Sequence, residues 1–180
     1  IYSGYFREQP LLPRMIKDVV FDGTFYHLWY LPASVMGALV AWYLVRKYDY
    51  SRAVAVSAVL YLIGLFGDSY FGIAQKVPGI GGFYRQIFQV SDYTRNGIFF
   101  APVFFVLGGM SADCRRRMSR KMSLIGFGVS FALMLAEAMT LHTFGLQRHD
   151  SMYVFLLPCV YFLFQFLLHF RGRRKARVKE

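Results

Sequence analysis

Long apolar stretches separated by short charged segments dominate this sequence. Five stretches of roughly 20 residues lie at about 26–45, 53–74, 95–112, 122–142 and 151–170. A helix of about 20 apolar residues is long enough to cross the hydrocarbon core of a bilayer. The pattern therefore predicts an all-α, polytopic membrane bundle of about five transmembrane helices.

The connection between the second and third stretches has its own pattern. Pro78 and three glycines break the chain, and apolar residues then recur at helical spacing: Phe83, Tyr84, Ile87, Phe88 and Val90. This spacing predicts a short amphipathic helix. Two placements stay open, one in the membrane interface and one as a lid packed on the bundle.

The composition excludes a soluble globule. Hydrophobic residues make up 56% of the 180 residues, charged residues 17% and aromatic residues 19%. Soluble domains have about 45–50% apolar and about 25% charged residues. Disorder is excluded too, because disordered chains are poor in aromatic residues.

The net charge of +11 reflects membrane orientation. Fourteen Lys and Arg residues follow the first, third and fifth stretches, and only four lie in the two opposite connections. Cytoplasmic loops collect such residues. We therefore expect the basic loops and the tail at 171–180 to be cytoplasmic, and residues 1–25 to be external. The partner of the chain is then a lipid bilayer, the bacterial plasma membrane, and not a nucleic acid.

Residues 1–25 show none of the features of a signal peptide. An external N-terminus without one suggests that the chain is a piece of a longer polypeptide, whose other spans would pack against it. The two cysteines, Cys114 and Cys159, have no metal-ligand spacing. We expect neither a metal nor a cofactor in this chain.

Ionisable residues gather toward one end of the predicted bundle. A carboxylate within a span costs a few kcal/mol, so it normally faces a cavity or a partner. Asp68 and Glu137 lie near the outer ends of the second and fourth spans, and loop residues join them. The residues of this predicted outer polar cup are His27, Asp68, Arg95, Glu137, His142, Arg148, His149 and Asp150.

The cup suggests proton transfer and the binding of a charged substrate. His27 and Glu137 are the catalytic candidates, because an imidazole that titrates near neutrality suits general-base activation of a hydroxyl. The substrate-binding candidates are Asp68, Arg95, Arg148, His149 and Asp150. The arginines also have a simpler interpretation as interfacial anchors, and His149 as a loop residue.

Four segments resemble a known family. Phe25-Tyr26-His27-Leu28-Trp29-Tyr30 resembles the His-Leu-Trp-aromatic motif of the acyltransferase 3 family. Residues 60–72, 94–102 and 148–153 are similar to the membrane domain of the membrane-bound serine racemases of vancomycin resistance. Together the matching segments extend from about residue 25 to residue 170.

The resemblance implies a bundle of about ten helices that moves an acyl group from a cytoplasmic donor, such as acyl-CoA, to an outward-facing acceptor. In the racemase relatives it implies a bundle that supplies L-serine to a cytoplasmic domain carrying pyridoxal phosphate. The family's first helix, its final spans and the racemase domain have no counterpart in this sequence. We therefore expect the chain alone to be inactive.

Three functions follow. The first is acyl transfer, with His27 as the base on the acceptor side. The second is uptake or supply of L-serine, with Arg95 facing its carboxylate and Glu137 or Asp68 its ammonium group. The third is a membrane anchor and platform for a homodimer.

Overall fold

The computed structural model describes residues 29–113 and 118–177, which form seven α-helices and no strand. The helices are α1 (Tyr30–Lys47), α2 (Tyr50–Gly67), α3 (Phe71–Ala74), α4 (Ile80–Val90), α5 (Ala101–Asp113), α6 (Arg120–Thr143) and α7 (Leu156–Arg177). The prediction of an all-α bundle is confirmed.

Five of the helices, α1, α2, α5, α6 and α7, follow the five predicted spans in order. Their ends differ from the prediction in two places. Helix α2 ends at Gly67 rather than near residue 74, because the backbone of Asp68 leaves the helical region with φ −118° and ψ −100°. Helix α5 begins at Ala101, so Arg95 lies in an irregular segment before it. The polar candidates Asp68 and Arg95 are therefore outside the helices.

The exterior of the bundle is apolar and much of its interior is small or polar. Helices α2 and α6 are each long and apolar enough to cross a membrane, while α5 and the Leu156–His169 part of α7 are shorter apolar segments. Met139 and Ile125 on α6 are 71% and 65% exposed, whereas Ser123 and Ser130 on the same helix are buried. This arrangement suits a helix with lipid on one side and other helices on the other.

Side-chain caps start two of these helices. The carboxylate of Asp49 accepts a hydrogen bond from the backbone N–H of Arg52 at 3.4 Å, before α2. The hydroxyl of Ser119 accepts one from the N–H of Met122 at 3.2 Å, before α6. Each cap satisfies one of the N–H groups that a helix leaves unpaired at its beginning.

Helix α5 lies at the centre, in contact with α1, α2 and α7, while α6 packs along α7. Val106 of α5 packs in one buried cluster with residues of α1 and α2. Val103, one turn earlier, packs in a second cluster with Tyr61, Leu65 and Met152. The first cluster joins α1, α2 and α5 near the α1–α2 turn, and the second holds Met152, in the α6–α7 connection, against α2 and α5.

Two glycines let α1 approach α5 closely. A Cβ added at Gly37 would overlap the Cβ of Ala101. One added at Gly97, just before α5, would overlap Met36 and lie 3.0 Å from the carbonyl oxygen of Ala33. Small residues are the usual means by which membrane helices bring their backbones together.

The predicted amphipathic helix is confirmed as α4, and one of its faces packs on the bundle. Tyr84 is buried and donates its hydroxyl to the carbonyl oxygen of Ile63 at 2.7 Å. The ring of Phe88 lies 5.5 Å from that of Phe71. Phe83 and Val90 remain exposed on the other side. The contacts are those of a lid whose outer face is apolar.

Leucine at Gly37 should destabilise the bundle, because the side chain would push α1 away from Ala101. We expect a loss of about 1–3 kcal/mol, the usual cost of overpacking. Thermal unfolding of the detergent-purified protein measures it. Gly128→Leu is the matched control, since a Cβ at this helical glycine meets nothing within 4 Å. Equal melting of the two variants would contradict the close approach.

Candidate functional site

The carboxylate of Asp68 joins the end of α2 to the connection between α6 and α7. It is fully buried. Its Oδ1 accepts hydrogen bonds from the backbone N–H groups of Ser151 at 2.9 Å and Met152 at 3.2 Å. The hydroxyl of the adjacent Ser69 donates a third at 3.0 Å. Burial raises the pKa of Asp68, and the hydrogen bonds from Ser151 and Ser69 act in the opposite direction.

The second oxygen of Asp68 is different. Among the described residues, Oδ2 is buried and has no hydrogen-bond partner. A buried carboxylate oxygen normally has a donor or a cation beside it, because desolvation without compensation is costly. Oδ2 of Asp68 is therefore a buried acceptor to which no described donor is hydrogen-bonded.

Arg95 lies beside this carboxylate and is held by aromatic rings. It is 9% exposed. Its guanidinium lies 5.0 Å from the ring centre of Trp29 and 4.5 Å from that of Tyr93. Its Nη1 donates to the hydroxyl of Ser151 at 2.9 Å. Because the N–H of the same serine binds Asp68, one residue links the cation and the carboxylate.

Glu137 has both of its oxygens engaged. Oε1 accepts from the Tyr70 hydroxyl at 2.6 Å and from the N–H of Val154 at 2.7 Å, and Oε2 accepts from the N–H of Phe155 at 3.0 Å. These amides come just before α7, where a helix has unpaired N–H groups and the positive end of its dipole. Glu137 on α6 thus caps α7.

Backbone contacts align the connection between α6 and α7 with the turn after α2. The N–H of Gly72 donates to the carbonyl oxygen of Leu146 at 2.7 Å, and the N–H of Arg148 to that of Asp68 at 3.1 Å. The hydroxyl oxygen of Ser69 lies 3.2 Å from the carbonyl oxygen of His149, and it accepts a hydrogen bond from the N–H of Met152 at 3.3 Å. Main-chain hydrogen bonds therefore hold the α6–α7 connection against the segment that follows α2.

His149 is partly buried at the edge of the site, with its ring centre 4.5 Å from that of Tyr93. Burial lowers the pKa of His149, and the positive charges of Arg148 and Arg95 act in the same direction, while Asp68 opposes them. The imidazole is consequently neutral at pH 7, the form that accepts a proton.

The other predicted site residues are placed less centrally. Arg148 is exposed, and its guanidinium lies 3.5 Å above the ring of Phe88 on α4. Asp150 is exposed as well. His27 falls outside the residues that the structure describes. Within the described ranges, no group of three or more His, Cys, Asp or Glu residues is arranged to hold a metal ion.

The structure brings Asp68, Arg95 and His149 together. The segment Met152–Phe155 connects them to Glu137, because the N–H of Met152 binds Asp68 and the N–H of Phe155 binds Glu137. Sequence reasoning assigned Tyr70 to an aromatic belt at the membrane interface and gave Ser151 no role, because hydroxyl residues are common and have no distinctive spacing. The available signal was their position in the sequence, Tyr70 two residues after Asp68 and Ser151 directly after Asp150.

Comparison with known proteins identifies the family. The model of a family described as an acyltransferase domain, the acyltransferase 3 family, matches residues 2–179. The chain belongs to the acyltransferase 3 family. It is a membrane domain of the acyltransferase 3 type, in agreement with its apolar helices.

Relatives of this acyltransferase 3 domain carry racemase names. The chain is 56% identical over 179 residues to an amino-acid racemase of Enterococcus faecalis, which covers 99% of the chain and 25% of the relative. A second amino-acid racemase of that organism is 42% identical over 165 residues, covering 91% of the chain and 23% of the relative. A serine/alanine racemase of Enterococcus gallinarum is 38% identical over 160 residues, covering 89% and 23%. The resemblance drawn from the sequence is confirmed.

The chain thus spans about a quarter of the length of these curated relatives. No solved structure matches it. What the relatives do as whole proteins therefore bears on this chain only as a proposal.

Glu137→Gln should lower stability by about 1–3 kcal/mol, since the amide nitrogen of glutamine cannot accept a hydrogen bond and one buried donor is left unpaired. Thermal unfolding in detergent measures this loss. Tyr70→Phe is the control, because it removes one donor and keeps both amides of the α7 cap. Wild-type melting with lost activity would instead make Glu137 a catalytic acid.

The lowered pKa of His149 predicts a pH dependence of stability. Below the ordinary histidine pKa, the unfolded chain binds a proton that the folded chain does not. Stability should therefore fall as the pH is lowered from about 7.5 to about 5.5. His149→Gln should weaken this dependence in melting curves, whereas the exposed His142→Gln should retain it. Identical curves for wild type and His149→Gln would refute the assignment.

Proposed function

We propose that the membrane domain containing this chain binds a free amino acid between Arg95 and Asp68, and that this amino acid is L-serine. The observation that carries the proposal is Ser151, whose hydroxyl binds Arg95 and whose N–H binds Asp68. An amino acid has a carboxylate and an ammonium group on the same carbon. Its recognition requires a cation and an anion side by side, and this pair is so arranged.

Each charge of the ligand has a matching group. The guanidinium of Arg95, fixed between Trp29 and Tyr93, presents a planar set of donors to a carboxylate. The ammonium group would occupy the acceptor position at Asp68 Oδ2. Glu137 does not suit this role, because both of its oxygens accept hydrogen bonds at the beginning of α7.

The names of the relatives support this choice of ligand. Two of them are called amino-acid racemases and one a serine/alanine racemase. With the basic loops cytoplasmic, as the positive-inside rule predicts, the site opens outward and the domain supplies serine to an attached racemase domain. Multi-pass topology and the sides of the loops are part of this proposal.

Pyridoxal phosphate, which the racemase kinship implies, does not fit the described part of this chain. The cofactor is held through a lysine. The lysines with described side chains, Lys47, Lys76 and Lys121, are all exposed, and none of them contacts Arg95 or Asp68 in a described hydrogen bond or ion pair. We place the cofactor in a separate domain of the polypeptide and derive no step through it.

Acyl transfer to an outward-facing acceptor is the second candidate, and two observations favour it. The family is described by acyltransferase activity. The neutral imidazole of His149 beside Arg95 could take a proton from an acceptor hydroxyl. His27, two residues before Trp29 in the sequence, is the other candidate base, and acyl-CoA would be the donor.

Serine binding is tested on the full-length protein purified in detergent, by calorimetric titration with L-serine. Asp68→Asn should weaken binding about tenfold or more, because it removes the charge that faces the ammonium group. Its folding should be retained, since asparagine keeps an oxygen at the Oδ1 position. Serine methyl ester and N-acetylserine, which each lack one charge, should bind weakly.

Arg85→Gln is the control, since it removes an exposed positive charge from α4 without touching the site. Unchanged serine affinity in Asp68→Asn would reject the ammonium site. If serine does not bind and labelled acyl-CoA instead transfers its acyl group to an envelope acceptor, the second candidate replaces the first.

A further inference from the structure

A cavity of about 570 Å³ lies between α1, α5 and the start of α2, apart from the Arg95 and Asp68 site. Small residues form its floor: Ala38 and Ala41 of α1 and Gly109 of α5. Trp42 and Phe105 form its walls, and both are exposed at the surface of the bundle. The cavity is therefore an apolar groove that opens toward the lipid.

The groove ends at charged and polar groups. Arg46 and Tyr50 line one end of it. We propose that the groove binds one acyl chain of an anionic phospholipid, with the phosphate against Arg46. This site is independent of the amino-acid site, because Trp29 and Arg46 lie at opposite ends of α1, about 25 Å apart at 1.5 Å per residue.

The length of the groove fits an acyl chain. Ala38 precedes Arg46 by eight residues on α1, which is about 12 Å along the helix axis. One leaflet of the hydrocarbon core is about 15 Å thick. A phosphate held at Arg46 would thus place its acyl chain alongside Trp42 and Ala38, at the depth that the chain occupies in the bilayer.

Arg46 is the cation suited to the phosphate. Its guanidinium is exposed and lies 5.1 Å from the ring centre of Trp42, and a guanidinium beside an aromatic ring keeps its planar set of N–H donors for a phosphate. No carboxylate pairs with Arg46 in the described parts of the chain. Its neighbours are engaged, since Lys47 donates to the Tyr43 hydroxyl at 3.1 Å and Arg52 lies 3.4 Å from Asp49.

Charge complementarity favours a lipid over another helix. A helix of the same polypeptide would cover the apolar walls, but it would need an anion of its own, a carboxylate at this depth, to pair with the guanidinium. Bilayer phosphates provide that anion at the depth of Arg46, and basic pockets between membrane helices bind anionic headgroups for this reason. Tyr50, at the same end, adds a hydroxyl donor.

The test uses the full-length protein in nanodiscs of equal phosphatidylglycerol and phosphatidylcholine, with the lipids retained after release counted by native mass spectrometry. The wild type should retain phosphatidylglycerol in preference. Arg46→Gln should reduce this retention about fivefold, the effect of one arginine at an anionic surface. Ala38→Phe, at an exposed position, should fill the groove and reduce retention of the bound lipid.

Arg52→Gln is the matched control, because it removes a positive charge near the same end of the bundle outside the groove. It should retain the wild-type amount of phosphatidylglycerol. Equal loss in Arg46→Gln and Arg52→Gln would overturn the site in favour of general attraction to a basic surface. Wild-type retention in Ala38→Phe would show that another helix covers the groove, and displacement of the lipid by acyl-CoA would assign the groove to a donor. Each of these three results would overturn the proposal.

Discussion

The buried carboxylate of Asp68 is the constraint on which the described site depends. A buried carboxyl group in an apolar bundle is stable only if its oxygens have hydrogen-bond partners. The chain provides them from the backbone of residues 151 and 152, which follow Asp68 by more than 80 positions. These hydrogen bonds to Oδ1 hold the α6–α7 connection against the end of α2, where Ser151 contacts Arg95.

Glu137 solves the same problem with a different result. Its oxygens accept the N–H groups at the beginning of α7 together with the Tyr70 hydroxyl, so the carboxylate and the helix end satisfy each other. Because α6 and α7 also pack along their length, this cap fixes where α7 starts relative to α6. Both oxygens of Glu137 accept hydrogen bonds, whereas Oδ2 of Asp68 has no hydrogen-bond partner among the described residues. That difference separates the two carboxylates as binding groups.

Membership of the acyltransferase 3 family and kinship with amino-acid racemases are compatible in one scaffold. Function depends on the site and not on the fold that carries it. In this chain, the polar site and the apolar groove lie at different positions along the central helix α5. The polar site lies at the irregular segment before α5, where Arg95 precedes Ala101. The lipid-facing groove lies farther along it, at Phe105 and Gly109. The proposed amino-acid site and the proposed lipid site therefore share no residues.

The sequence by itself determined the helical bundle, the order of its helices, the amphipathic α4, the family and the gathering of charged residues at one end. These follow from hydropathy period, charge position and local motifs, which are properties of neighbouring residues. Tertiary structure decided where α2 ends and where α5 begins, and which of the two buried acids has both oxygens hydrogen-bonded. Hydrogen bonds from distant backbone amides make those decisions, as Val154 does for Glu137 and Ser151 for Asp68. No local pattern encodes such a pairing, because it exists only when the helices have packed.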